Sequence, residues 1–250
     1  MASFDFINAA TTGYRFTWKN REMIARYMLP LFLVKIATFV IITSFEINFP
    51  PLRQGLVMLP SYIIEGWVLA VLIRFYMAMQ GHDFGTPRTV LASTLIYVLI
   101  KLFLSLTAAL TLMSAPPVEM AQSTTEPSLQ SFIAALIAIA VMVWAFRLMW
   151  FYIPAAFGYS LRDFAEKISS YATSLYMIGT WMVCFLPAGF VLMLVSQALL
   201  SSVPEATQPG AIYNFVMIAA QAVTEIFVSV VATIAMTEGI RSMLFDKKKS

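Results

Sequence analysis

Apolar residues run along this chain in six long blocks, and short stretches holding prolines, glycines and charges separate them. The blocks cover roughly 23–45, 56–79, 90–113, 131–157, 172–197 and 212–237. Several runs reach the roughly 18 apolar residues that carry a helix across about 30 Å of hydrocarbon. Breakers lie between them: Pro50 and Pro51, then Gly81, Gly85 and Pro87, then Pro116, Pro117 and Pro127, and finally Pro204, Pro209 and Gly210. The pattern predicts an all-α polytopic membrane protein, a bundle of six transmembrane helices. Composition agrees: 60% of the 250 residues are hydrophobic, 12% are charged and the mean hydropathy is +0.80, so a soluble fold could not cover the apolar surface. No polar stretch is long enough for a further soluble domain.

Before the first block, SFDFINAATTGYRFTWKN sets Phe4, Ile7, Thr11, Tyr14 and Trp18 at helical spacing. Such an amphipathic helix either lies in the cytoplasmic headgroup layer or packs under the bundle. The expected organisation is an amphipathic cytoplasmic segment over 1–22, the six-span domain over 23–240 and a basic cytoplasmic tail over 241–250. The first block has no small-residue cleavage site and exceeds a signal-peptide core, so the N-terminus is expected to stay attached.

Basic residues are distributed unevenly between the two sides. Twelve of the 16 Lys and Arg fall on one side: Arg15, Lys19, Arg21, Arg26, Arg74, Arg88, Arg162, Lys167, Arg241 and Lys247 to Lys249. Only Arg53 flanks the other, whose loops carry Glu46, Glu119, Glu126 and Glu205. Basic loops stay cytoplasmic, so both termini are expected inside, with the tail lysines serving as a topology anchor.

The catalytic repertoire is thin. A single Cys184 and a single His82 rule out an intrachain disulfide framework and a His/Cys zinc site. Cys184 reads as a small core residue and His82 as a solvated loop residue. The chain has no Gly-rich phosphate loop, Gly-x-Ser-x-Gly elbow or His-Glu-x-x-His, and no aspartate inside a span. No catalytic residue, metal site or cofactor is expected, and nothing calls for nucleic acid.

Five charges nevertheless fall inside spans: Lys35, Glu65, Lys101, Arg147 and Glu225. Lys35 lies nine residues past Arg26, and Glu65 nine before Arg74. Both therefore sit roughly 13–14 Å deep on adjacent antiparallel helices. A lone charge at mid-bilayer costs about 2.5–3.5 kcal/mol on insertion scales, so these two are expected to pair. Similar counting from Arg162, Arg241 and Arg88 sets Arg147, Glu225 and Lys101 roughly 20–24 Å deep and suggests a second cluster of Arg147 and Glu225, open to Lys101. Either the clusters fix helix register, or they line a polar cavity for an ion, a proton or a lipid headgroup, with Tyr62, Tyr97, Thr180, Gln197 and Gln221 adding polarity. Pro60, Pro154 and Pro187 are expected to kink their helices.

A faint repeat links Trp67 and Gly81, which bracket IRFYMAM, to Trp144 and Gly158, which bracket FRLMWFYIPAAF at the same separation. The stretch FRLMWFYIPAAFGYSLRDFAEKISSYATS, over 146–174, joins an arginine and a Pro-Ala-Ala exit to a polar loop and a Ser-aromatic start. With KNREMIARYMLPLFLVK near the N-terminus, it resembles the bacterial inner-membrane proteins of the YciC type. It is also similar to the membrane domain of some glycerophosphodiester phosphodiesterases. Ala172-Thr173-Ser174 departs from that pattern, and there is no phosphodiesterase domain. The resemblance implies a six-helix, multi-pass protein of the bacterial inner membrane and no catalytic residue. The expected function is a non-enzymatic accessory or scaffold for envelope lipids or a partner membrane protein; the alternative is a small transporter or channel using the buried Lys, Glu and Arg residues. Expected partners are membrane lipids, anionic ones among them.

Overall fold

The computed structural model describes residues 5–44, 51–82, 85–114, 129–201 and 211–245. The loops near 50, 120 and 205 and the tail from 246 lie outside these. Among the described residues every regular element is helical. Six stretches are long and apolar enough to cross a membrane: Arg21–Thr43, Leu59–Met79, Pro87–Thr107, Ile139–Ala156, Tyr171–Leu199 and Ile212–Phe245. The protein is an all-α bundle of membrane-spanning helices, as the six apolar blocks predict.

Helix α1 (Phe6–Lys19) begins at Asp5, whose carboxylate accepts the backbone N–H groups of Ile7 and Asn8, both at 3.1 Å. Its small residues Ala9, Ala10, Gly13 and Thr17 form a buried stripe. Helix α10 (Ala211–Phe245) presses against that stripe so closely that a Cβ on Gly13 would stand 2.5 Å from the Val231 carbonyl oxygen. Phe6 lies beneath Gly179 of α9 (Tyr171–Ser201), the Tyr14 hydroxyl donates to the Cys184 carbonyl at 2.9 Å, and Phe16 meets Tyr76 edge-on at 5.4 Å. So α1 lies across α9 and α10 and reaches Tyr76, packed on its inner face, while Ile7 and Trp18 stay exposed.

Helix α2 (Arg21–Ser44) carries Pro30 in its interior. The short α3 (Pro51–Val57) leads to α4 (Leu59–Met79), followed by α5 (Pro87–Ser114). The fourth span is not continuous: α6 (Leu129–Ala145) passes into a 3-10 turn, Phe146–Trp150, then a single turn, α7 (Tyr152–Ala156). Pro154 lies just past that break, and Pro187 inside α9. Pro60 opens α4 in its first turn, where its missing N–H breaks no bond, so it calls for no kink. Helix α8 (Leu161–Lys167) crosses to α9.

The core lies along α4 and α10, where Leu69, Leu72, Ile73 and Met77 meet Val230, Val231, Ile234 and Met236. Helix α9 is peripheral, with 11% of its most apolar window buried against 50% for α4. The last helix also runs further than the apolar block ending near 237. It continues through Arg241, which grips Glu238 at 2.7 Å, to Phe245, whose ring stacks on His82 at 4.7 Å. The boundary expected at 240 therefore falls inside a helix, and His82 is a half-buried packing partner of its end.

Gly81 and Gly158 adopt left-handed φ values of 78° and 77°. At each, the glycine N–H bonds three residues back, to Ala78 at 3.0 Å and Ala155 at 3.2 Å. The next N–H bonds five back, from His82 to Met77 and from Tyr159 to Pro154, both at 2.9 Å. The faint sequence repeat marks the same helix-ending turn used twice. A Cβ on Gly81 would meet nothing within 4 Å, so Gly81→Ala is expected to cost about 1–2 kcal/mol through backbone strain alone. Gly81→Asn should recover part of it, and thermal unfolding in detergent of the two variants checks this.

Candidate functional site: a charged cavity between the helices

Helices α2, α4 and α10 pack against one another, and each brings a charge to the same level. The Lys35 ammonium lies 3.2 Å from Glu65 Oε2 and 3.0 Å from Glu225 Oε2. Glu65 is fully buried. Its Oε1 accepts the Ser229 hydroxyl at 2.6 Å, and the Tyr97 side chain lies close by. Tyr97 reaches this position because Gly66 on α4 leaves room; a Cβ there would sit 2.9 Å from the ring. The hydroxyl of Tyr152, edge-on to Tyr97 at 5.1 Å, is bonded to Thr233 at 2.8 Å and backs this wall.

Glu225 is placed differently. Its Oε1 accepts from Gln221 at 3.0 Å, yet its side chain is 39% exposed where that of Lys35 is 3%. The opening is a cavity of about 970 Å³ reaching from the charges toward α3 and the adjoining ends of α9 and α10. Lys35, Tyr62, Lys101, Gln221 and Ser229 share its wall with Phe39, Trp181, Phe185 and Leu192. Lys101, from α5, holds its ammonium over the faces of Tyr97 at 5.4 Å and Tyr62 at 5.8 Å, and acts electrostatically on Glu65. Among the described residues it makes no ion pair within 4.0 Å.

The second cluster expected from depth is not formed. Arg147 sits in the 3-10 turn, donates to the Ile168 carbonyl and covers the Trp144 ring at 4.3 Å. Depth counted from Arg162 treats the whole stretch back to Arg147 as helix, whereas the chain turns at Gly158 and starts a separate helix at Leu161. Arg147 is consequently shallower than counted, and Glu225 joins Lys35 instead. Gln221, Tyr62 and Tyr97 belong to the site; Thr180 bonds to its own helix at Tyr176, and Gln197 is exposed. Ser229, missed by the sequence reading, lies one helical turn past Glu225, on the same face of α10.

Chemically, this arrangement can bind. It offers a carboxylate and an ammonium to a pocket with apolar walls inside the span. Comparison with protein-family models, curated proteins and solved structures finds no match for the chain, so the functional reading rests on this site.

Proposed function

We propose that the chain is a non-enzymatic protein of the bacterial inner membrane, with both termini cytoplasmic, that serves envelope lipids as an accessory or scaffold by holding the polar head of a membrane lipid in this cavity. The YciC-type resemblance and the bias of basic residues support the location and orientation. The observation that carries the binding role is the exposure of Glu225, beside Lys101, to a 970 Å³ space whose wall also includes Phe39, Trp181, Phe185 and Leu192. A cluster serving only to fix register would bury all its charges, as Lys35 and Glu65 are buried. The walls suit acyl chains, the charged end suits a headgroup, and the peripheral α9 is the side through which a lipid would enter.

Filling the cavity tests the reading. Gly189 lines it from α9 in helical backbone, so Gly189→Trp places an indole in the space without removing a charge. Lipid co-purifying with the protein in mild detergent, counted by native mass spectrometry, should fall about tenfold or more. Unchanged retention would overturn the cavity as the lipid site.

One observation favours the transporter reading, namely the break in the fourth span at Phe146–Trp150, since transporters commonly bind at discontinuous helices. Its cation, Arg147, is bonded to Ile168, away from the charged cavity. Liposomes containing the protein are expected to pass no protons; a dye-detected flux abolished by Glu65→Gln would replace the accessory role with transport.

A further inference from the structure

We propose that the cavity takes a zwitterionic headgroup, an ammonium and a phosphate carried on one lipid. The inference rests on the lipid-binding reading above and adds the charge of the ligand.

Of the four charges at the site, two are used up internally. Lys35 is divided between two carboxylates, and Glu65 is buried with Lys35, Ser229 and Tyr97 around it. Glu225 and Lys101, which line the space together with the 3%-exposed Lys35, are of opposite sign. Glu225 keeps unused acceptor positions beside its bonds to Lys35 and Gln221. Lys101 rests on two tyrosine faces with its N–H donors available for an oxygen ligand. Rings below and a cavity above make it a point charge suited to phosphate.

The sum of charges selects further. Lys35 and Lys101 balance Glu65 and Glu225, so the empty site is neutral. An anionic head on Lys101 would bring a net charge into a low-dielectric interior, and a cation on Glu225 would do the same with opposite sign. A zwitterion satisfies both exposed groups and leaves the sum at zero. The acid and base come from α10 and α5, so the ligand's two charges lie across the cavity.

The test uses the full chain in nanodiscs of phosphatidylethanolamine and phosphatidylglycerol in equal amounts with identical acyl chains. Lipid kept after transfer to detergent is identified by native mass spectrometry. The unmodified protein should keep the ethanolamine lipid over the glycerol lipid by about tenfold. Glu225→Gln should erase that preference, Lys101→Gln should lower retention of both, and Lys101→Arg should restore it. Equal retention, or a preference for phosphatidylglycerol, in the unmodified chain would overturn the zwitterion without needing any variant to fold. A preference that Glu225→Gln leaves intact would overturn it too. In both cases retention still lost on Gly189→Trp would keep the lipid-binding reading standing; no retained lipid of either kind would sink both. Soluble glycerophosphoethanolamine displacing the lipid at equal concentration would overturn the lipid source in favour of a free solute.

Discussion

Lys35→Met is expected to destabilise the protein by about 3–5 kcal/mol, because it leaves two carboxylates in the bundle without their shared cation. Glu65 bears most of the loss, being fully buried with Lys35 at 3.2 Å. Glu225, 39% exposed and held also by Gln221, can turn toward the cavity. The double variant Lys35→Met with Glu65→Leu should therefore be milder than the two singles added together. Coupling between Lys35 and Glu225, measured the same way, should be smaller than that between Lys35 and Glu65. Thermal unfolding in detergent supplies the four corners of each cycle. Strictly additive losses would show that the contacts carry no coupling energy.

Prying α1 from the bundle should give the next largest effect. Gly13→Leu puts a Cβ 2.5 Å from the Val231 carbonyl oxygen and 3.0 Å from the Ala235 methyl, and neither can swing aside. Overpacking of this kind costs about 1–3 kcal/mol, and here the cheapest relief is to release the whole helix. Cleavage by trypsin after Arg15 and Lys19 should accelerate markedly, whereas Thr11→Leu on the exposed face should leave it unchanged. An unaltered rate in Gly13→Leu would mean that α1 is not held by this contact.

The spans were legible because bilayer thickness sets a length that apolar blocks must meet, and all six blocks do. The partnership of Lys35 with Glu65 follows from equal depth on consecutive antiparallel helices. Depth says nothing about lateral neighbours, however, and so the place of Glu225 was lost: α10 lies beside α2 although 190 residues separate Lys35 from Glu225. Arg147 was misplaced because a broken helix does not rise evenly. For α1, the helical spacing of apolar positions left open whether the helix lies in the headgroup layer or packs under the bundle; the signal that decides for packing is Ala9, Ala10, Gly13 and Thr17, the small residues that let two backbones approach. The cavity itself had no signature, since Phe39, Trp181 and Phe185 look like any lipid-facing residues until helices far apart in sequence bring them to one wall.

The electrical neutrality of the charge layer bears on how the protein experiences an energised membrane. A unit charge crossing the full bilayer gains or loses about 2.3 kcal/mol per 100 mV, and one entering halfway about half of that. Two lysines and two glutamates gathered at one site present no net charge for the field to pull on, so a shift of the cluster along the membrane normal does no electrical work. On the proposed binding role, loading a neutral zwitterion from either leaflet does none apart from its small dipole. Occupancy should thus track the local lipid composition and remain indifferent to whether the cell is energised.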